Sequence, residues 1–131
     1  MAGLSTHFEK KIMRINDDLP GVTLDDLRTI NRGHIRYTVY PHEDYMKEDI
    51  SALELSVRST NGLKRAGYRD VESLASAVSC NADLAGIRSL GRKSIEEIML
   101  GLFLYQYESL KEERKKSYIN DLLRLNTFIL S

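Results

Sequence analysis

The sequence predicts a mainly α protein: a compact domain of four to five helices, with helical extensions at its N- and C-terminal sides. Three observations carry that expectation. Apolar residues recur at helical spacing along most of the chain. Capping residues stand just before those runs, and glycines often stand just after them. Only one stretch, Ile35–Tyr40, alternates in the manner of a strand, and no second good strand is present to pair with it. An apolar content of 42% is enough for a modest core and argues against wholesale disorder. At 131 residues the chain accommodates one domain with short appended segments.

Residues 1–48 read as an N-terminal extension of short helices and an extended segment. Thr6 and Glu9 have capping-box spacing, and Phe8, Ile12 and Ile15 follow at helical positions, so a short amphipathic helix is expected over about 6–16. Pro20-Gly21 marks a break. Thr23 then caps a second helix through Leu24, Leu27 and Ile30, closed by Asn31-Arg32-Gly33. The Ile35–Tyr40 stretch either pairs with its own copy across a dimer or runs extended over the helical core.

Residues 49–108 form the compact module. Ser56 caps a helix with Val57, Leu63 and Ala66 as its apolar positions, ended by Gly67. Asp70 caps another through Val71, Leu74, Ala75 and Val78. Asn81 caps a short turn containing Leu84 and Ile87. Leu90-Gly91 then turns tightly into a long helix with Ile95, Ile98, Met99, Leu102 and Tyr105 on its inner side. Residues 109–131 read as a C-terminal amphipathic helix. Lys111–Lys116 gives it a solvated, mixed-sign start, and Tyr118, Ile119, Leu122, Leu123, Leu125, Phe128 and Ile129 give it an apolar face. That face packs on the N-terminal segment or on a second copy, which makes a homodimer one expectation.

Several classes of chemistry find no support in the sequence. His7, His34 and His42 make no metal-ligand spacing, and His42-Glu43-Asp44 reads as a polar loop before a helix. There is no Walker-type loop and no nucleophile elbow. The lone Cys80 has no partner base, cannot form an internal disulfide, and is expected as a small buried or half-buried filler. The expectation is therefore a protein that is not an enzyme and holds no metal or cofactor. The absence of a long apolar run or signal-peptide core points to the cytoplasm, with no membrane partner.

Two strings about thirty residues apart carry the chemistry. In Leu90-Gly91-Arg92-Lys93-Ser94, the turn leaves the first N–H groups of the following helix unpaired, and with the helix dipole they suit a phosphate oxygen. Gly91 permits close backbone approach, Lys93 adds charge and Ser94 a hydroxyl. This is the logic of a helix-hairpin-helix, which holds the DNA backbone without reading sequence. The second string, Leu55–Gly67, puts Arg58 in the first turn of its helix with Asn61 one turn later. An Arg beside an Asn suits the narrow minor groove of an A-tract, and Lys64, Arg65 and Arg69 add nearby charge. Taken alone, each string also suits an ordinary turn or a solvated helix face.

Together, LELSVRSTNGLKRAGYRDVESLA and DLAGIRSLGRKSIEEI resemble the C-terminal domain of the bacterial RNA polymerase alpha subunit, over Ile50–Leu104. The resemblance implies a compact helical domain containing a helix-hairpin-helix. It implies binding to the minor groove of A/T-rich double-stranded DNA, with RNA polymerase or transcription regulators as further partners and the nucleoid as the place. Carried over by position, the implied DNA-binding residues are Arg58, Asn61, Gly62, Gly91, Lys93 and Ser94. Gly62 is implied as a point where a backbone N–H reaches phosphate. Lys64 and Glu97 support the site, with Glu97 orienting a basic side chain. Glu54 matches an acidic position that in the family faces the promoter-recognition subunit, whereas Ala52 departs from a neighbouring acid. The short segment before the module, without linker composition, reads as that of a free-standing protein rather than an ordinary alpha subunit. Net charge is zero, and basic and acidic residues are equal in number between Ser51 and Glu108. That balance keeps an alternative in play: a module that mimics the polymerase domain and binds its regulators without binding DNA. A helix-hairpin-helix of a repair complex would account for the Gly91 turn but not for the Arg58 string.

Overall fold

The structure, a computed structural model, describes residues 8–30, 35–80, 84–87 and 90–127. Among them are six α-helices and no β-strand: α1 (Glu9–Asp18), α2 (Leu24–Ile30), α3 (Val57–Arg65), α4 (Val71–Ser79), α5 (Arg92–Ser109) and α6 (Glu112–Thr127). Short 3-10 turns lie at Asp44–Lys47, Ile50–Leu53 and Leu84–Gly86. The molecule divides into two compact units, one of Met1–Thr38 with Leu110–Ser131 and the other of Val39–Ser109.

In the first unit, α2 packs with α6 and with α1. Ile15 of α1, Leu24 and Leu27 of α2, and Tyr118, Ile119 and Leu122 of α6 are buried. A reciprocal cap starts α2: Asp26 N–H donates to Thr23 Oγ1 at 3.1 Å, and Thr23 N–H donates to Asp26 Oδ2 at 2.9 Å. The Leu24 N–H, another donor of that first turn, is taken by Asn16 Oδ1 of α1 at 2.9 Å. Residues 35–38 find their partners in side chains of α6. Asn126, fully buried, accepts from Arg36 N–H and donates to Arg36 C=O, at 2.9 and 2.7 Å. The Tyr118 hydroxyl donates to Thr38 C=O at 2.9 Å. A side-chain amide thus does for this segment what a neighbouring strand would do. The expected docking of the C-terminal helix on the N-terminal segment is observed here.

In the second unit, α5 packs against α3 and against the Asp44–Lys47, Ile50–Leu53 and Leu84–Gly86 turns. Its residues from Leu100 to Leu104, with Gln106 and Tyr107, are buried on every side. The sequence spacing predicts a single inner face; a helix wrapped all round instead needs apolar residues all round. The buried Gln106 is satisfied because its Oε1 accepts Tyr40 N–H at 2.8 Å. α3 ends in a left-handed glycine: Gly67 has φ +99°, its N–H reaches Lys64 C=O at 3.1 Å, and Tyr68 N–H reaches Leu63 C=O at 2.9 Å. Those two bonds make a Schellman motif. The backbone then turns into α4, capped by Asp70, whose carboxylate accepts Ser73 N–H at 2.8 Å. A lone antiparallel bridge between Asp49 and Asp70 ties the start of α4 to the Ile50–Leu53 turn.

Two further expectations are corrected. Cys80 is exposed, because it sits one position past the last turn of α4, whose core-facing residues are Val71, Leu74 and Ala75. Val57 is 76% exposed and Ala66 is exposed, although their apolar character marks both as core positions of α3. With Ser56 as the cap, helical phasing turns Ser59, Gly62 and Leu63 inward and Val57, Asn61 and Lys64 outward. The mixed-sign run after Lys111 belongs to α6 itself, which starts at Glu112. The expected contributions of Thr6, Asn31–Gly33, Asn81, Phe128 and Ile129 lie outside the described residues.

Candidate nucleic-acid interface

Two helix beginnings define the candidate site. The α3 end is set by Ser56, whose hydroxyl accepts Ser59 N–H at 3.2 Å. From that start, Arg58 and Asn61 fall on the exposed side, three residues apart and therefore neighbours on the helix surface. Among the described residues Arg58 has no ion pair and no hydrogen-bonded acceptor, so its guanidinium is available.

The α5 end follows a turn. Ile87 N–H donates to Leu84 C=O, Leu90 N–H donates to Ile87 C=O, and Ile95 N–H closes the first helical bond on Gly91 C=O at 3.1 Å. The N–H groups of Arg92, Lys93 and Ser94 therefore have no carbonyl one turn back within the helix. Gly91, Arg92 and Lys93 are exposed, and Ser94 is half-buried. An anion placed there meets unpaired donors, the positive end of an 18-residue helix, and the two cations Arg92 and Lys93.

Two contacts bring these helix beginnings together. Gly62 of α3 is buried against Leu90; a Cβ built on it would lie 2.5 Å from Leu90 Cδ2. Any side chain here would have to push the Leu90 side chain aside, so glycine lets α3 come this close to the residue preceding Gly91 without that shift. Gly62 therefore stands beneath the face, in a packing position, instead of offering its N–H at the surface. The second contact is Glu97, which lies one turn after Lys93 and Ser94 on α5. Its carboxylate accepts the Ser56 N–H and hydroxyl, both at 2.8 Å, and the hydroxyl of Ser59 at 2.5 Å. The sequence points to Glu97 as a support, but not to the two serines that hold it. Ser56 is legible as a cap; Ser59 carries no local signal for a bond made across 38 residues of sequence.

Lys64 is exposed and lies 3.8 Å from Asp49 Oδ2. The Ser51 hydroxyl and then its amide hold the Asp49 carboxyl below the usual carboxylate range, and the Lys64 charge adds to this. Glu54, exposed, ends the Ile50–Leu53 turn at φ +55°, a left-handed conformation rare for a residue with a side chain. His42 lies 3.4 Å from Glu72. No cluster of three His, Cys, Asp or Glu suited to a metal occurs among the described residues. No helix among them is long and apolar enough to cross a membrane.

Comparison with known proteins bears on the second unit. The family described as the C terminal domain of the bacterial RNA polymerase alpha chain matches residues 39–103. The protein is similar to the DNA-directed RNA polymerase subunit alpha of Macrococcus caseolyticus, with 47% identity over 60 residues, covering 46% of this chain and 18% of that protein. The same subunit of Staphylococcus aureus (strain Newman) is 48% identical over 56 residues, covering 43% and 17%. That of Oenococcus oeni is 53% identical over 53 residues, covering 40% and 16%. The matched part thus spans less than a fifth of the length of these relatives. No solved structure matches the protein.

Proposed function

We propose that this protein is transcription-associated and binds double-stranded DNA through its second unit, because residues 39–103 match the family of C-terminal domains of the bacterial RNA polymerase alpha chain. Arg58 and Asn61 enter the minor groove of A/T-rich DNA, where a narrow groove concentrates negative potential. Gly91, Lys93 and Ser94 grip the adjacent backbone with N–H groups, a charge and a hydroxyl. Gly62 contributes by letting α3 approach the hairpin, and Lys64 supplies charge once phosphate displaces Asp49. Glu54, exposed on the neighbouring turn, faces the transcription machinery. The observation that carries this reading is the pairing of an available Arg58 with an open α5 start on two helices tied through Glu97.

The zero net charge requires the attraction to be local, so few phosphates are neutralised and the salt dependence is shallow. Titration of a fluorescent A/T-rich duplex at several salt concentrations tests this. Arg58→Ala is expected to weaken binding by about 1–3 kcal/mol. Lys93→Ala is expected to weaken it while lowering the slope of log K against log salt by about one. Unchanged affinity in both variants would contradict the proposal.

A further inference from the structure

The N-terminal end of α3 is filled from within the molecule. Glu97 accepts three hydrogen bonds there, one from a backbone N–H and two from serine hydroxyls. The two hydroxyl oxygens lie 3.2 Å apart, both turned to the same carboxylate. Ser59 has no exposed surface at all. A buried hydroxyl is costly unless bonded, and serine is a poorer helix former than alanine. Packing alone would favour alanine at this position, so what the hydroxyl supplies is its bond to Glu97. A carboxylate at a helix N-terminus also offsets the dipole that would otherwise attract an anion, and this one takes the Ser56 N–H at the cap.

We propose that Ser59, together with Ser56, is a positioning residue for the DNA-binding face. By gripping Glu97 the serines latch the first turn of α3 onto α5, and so fix Arg58, the residue immediately before Ser59, relative to the Gly91 turn. The same carboxylate occupies the α3 helix end, which directs a DNA phosphate to the open start of α5. Neither serine touches DNA. The inference rests on the DNA-binding reading above, and the experiment separates the two.

The full-length protein and its Ser59→Ala, Glu97→Ala and doubly substituted variants are titrated with A/T-rich and G/C-rich duplexes, with circular dichroism melting of each. Loss of one hydrogen bond to a charged group predicts an affinity for A/T-rich duplex lower by about tenfold in Ser59→Ala. The preference for A/T over G/C shrinks because Arg58 is no longer held in place, while the salt slope stays unchanged because no phosphate contact is lost. The double variant binds no worse than Glu97→Ala alone, since the serine acts through the carboxylate. If Ser59→Ala unfolds, Ser56→Gly takes its place: glycine is tolerated at an N-cap and adds no charge but has no hydroxyl to grip Glu97, and the same losses are expected. Wild-type affinity and preference in the folded variant, or losses that add in the double variant, overturn the positioning role alone. A wild-type protein that ignores both duplexes overturns the DNA-binding reading and this inference with it.

Discussion

Arg58 and Gly62 show how differently two neighbouring residues serve one face. Arg58 is exposed with its charge available, so its removal should cost affinity and leave the fold intact. Gly62 is enclosed under Leu90, so its substitution should act through packing. Gly62→Val is expected to destabilise the protein by about 1–3 kcal/mol, read as a lowered urea midpoint, because the larger side chain must displace Leu90. A midpoint within error of wild type would show that the Leu90 side chain gives way without cost. The exposure of Arg58, Asn61, Gly91 and Lys93 is legible because charge and polarity at a helix start are local features of the sequence. Val57 misleads for the same reason: its apolar character suggests the core, whereas the phase set by Ser56 turns it outward. Ser59 is not legible at all, since its partner is on another helix.

The helices are the most readable level, because their ends are written in adjacent residues. Ser56, Asp70 and Thr23 each cap the helix that the sequence assigns to them. Gly67 closes α3 with a positive φ, and Gly67→Ala is expected to cost about 1–2 kcal/mol by forcing a side chain into the left-handed region. A thermal melt tests it; an unchanged midpoint would mean that the Schellman closure contributes nothing. The Ile50–Leu53 turn has a pH signature. Asp49 caps it by accepting from Ser51, and its carboxyl is held below the ordinary value in the folded state. A group whose pKa is lower when folded contributes stability above its unfolded pKa, and that contribution is lost as pH falls through the folded value. Stability should therefore decline below about pH 4 more steeply in wild type than in Asp49→Asn. Parallel pH profiles would remove Asp49 as a source of that decline. What local signals do not supply is the burial of α5 on every side, a property of the elements around it.

At the level of the whole molecule, the alternating Ile35–Tyr40 segment poses a question that sequence alone leaves open. A stretch with strand character needs partners for its backbone, and the structure supplies them as buried side-chain amides and a phenol instead of a second strand. Asn126 is the clearest case, satisfying both the N–H and the C=O of Arg36. Asn126→Ala should leave the Arg36 N–H and C=O without their side-chain partners and cost about 1 kcal/mol in urea unfolding. No loss would show that water replaces the amide freely. Of the apolar residues of α6, Tyr118, Ile119 and Leu122 are buried within the molecule, where the helix packs with α2.

The second unit carries the family likeness, and the proposed contact between that unit and DNA is the central claim. Its most direct test is a titration of the wild-type protein against A/T-rich and G/C-rich duplexes of equal length at one salt concentration, beside Arg58→Ala. The account predicts tighter binding to the A/T-rich duplex, and loss of most of that preference with the arginine. Equal affinity for the two duplexes, or no binding to either, would contradict it.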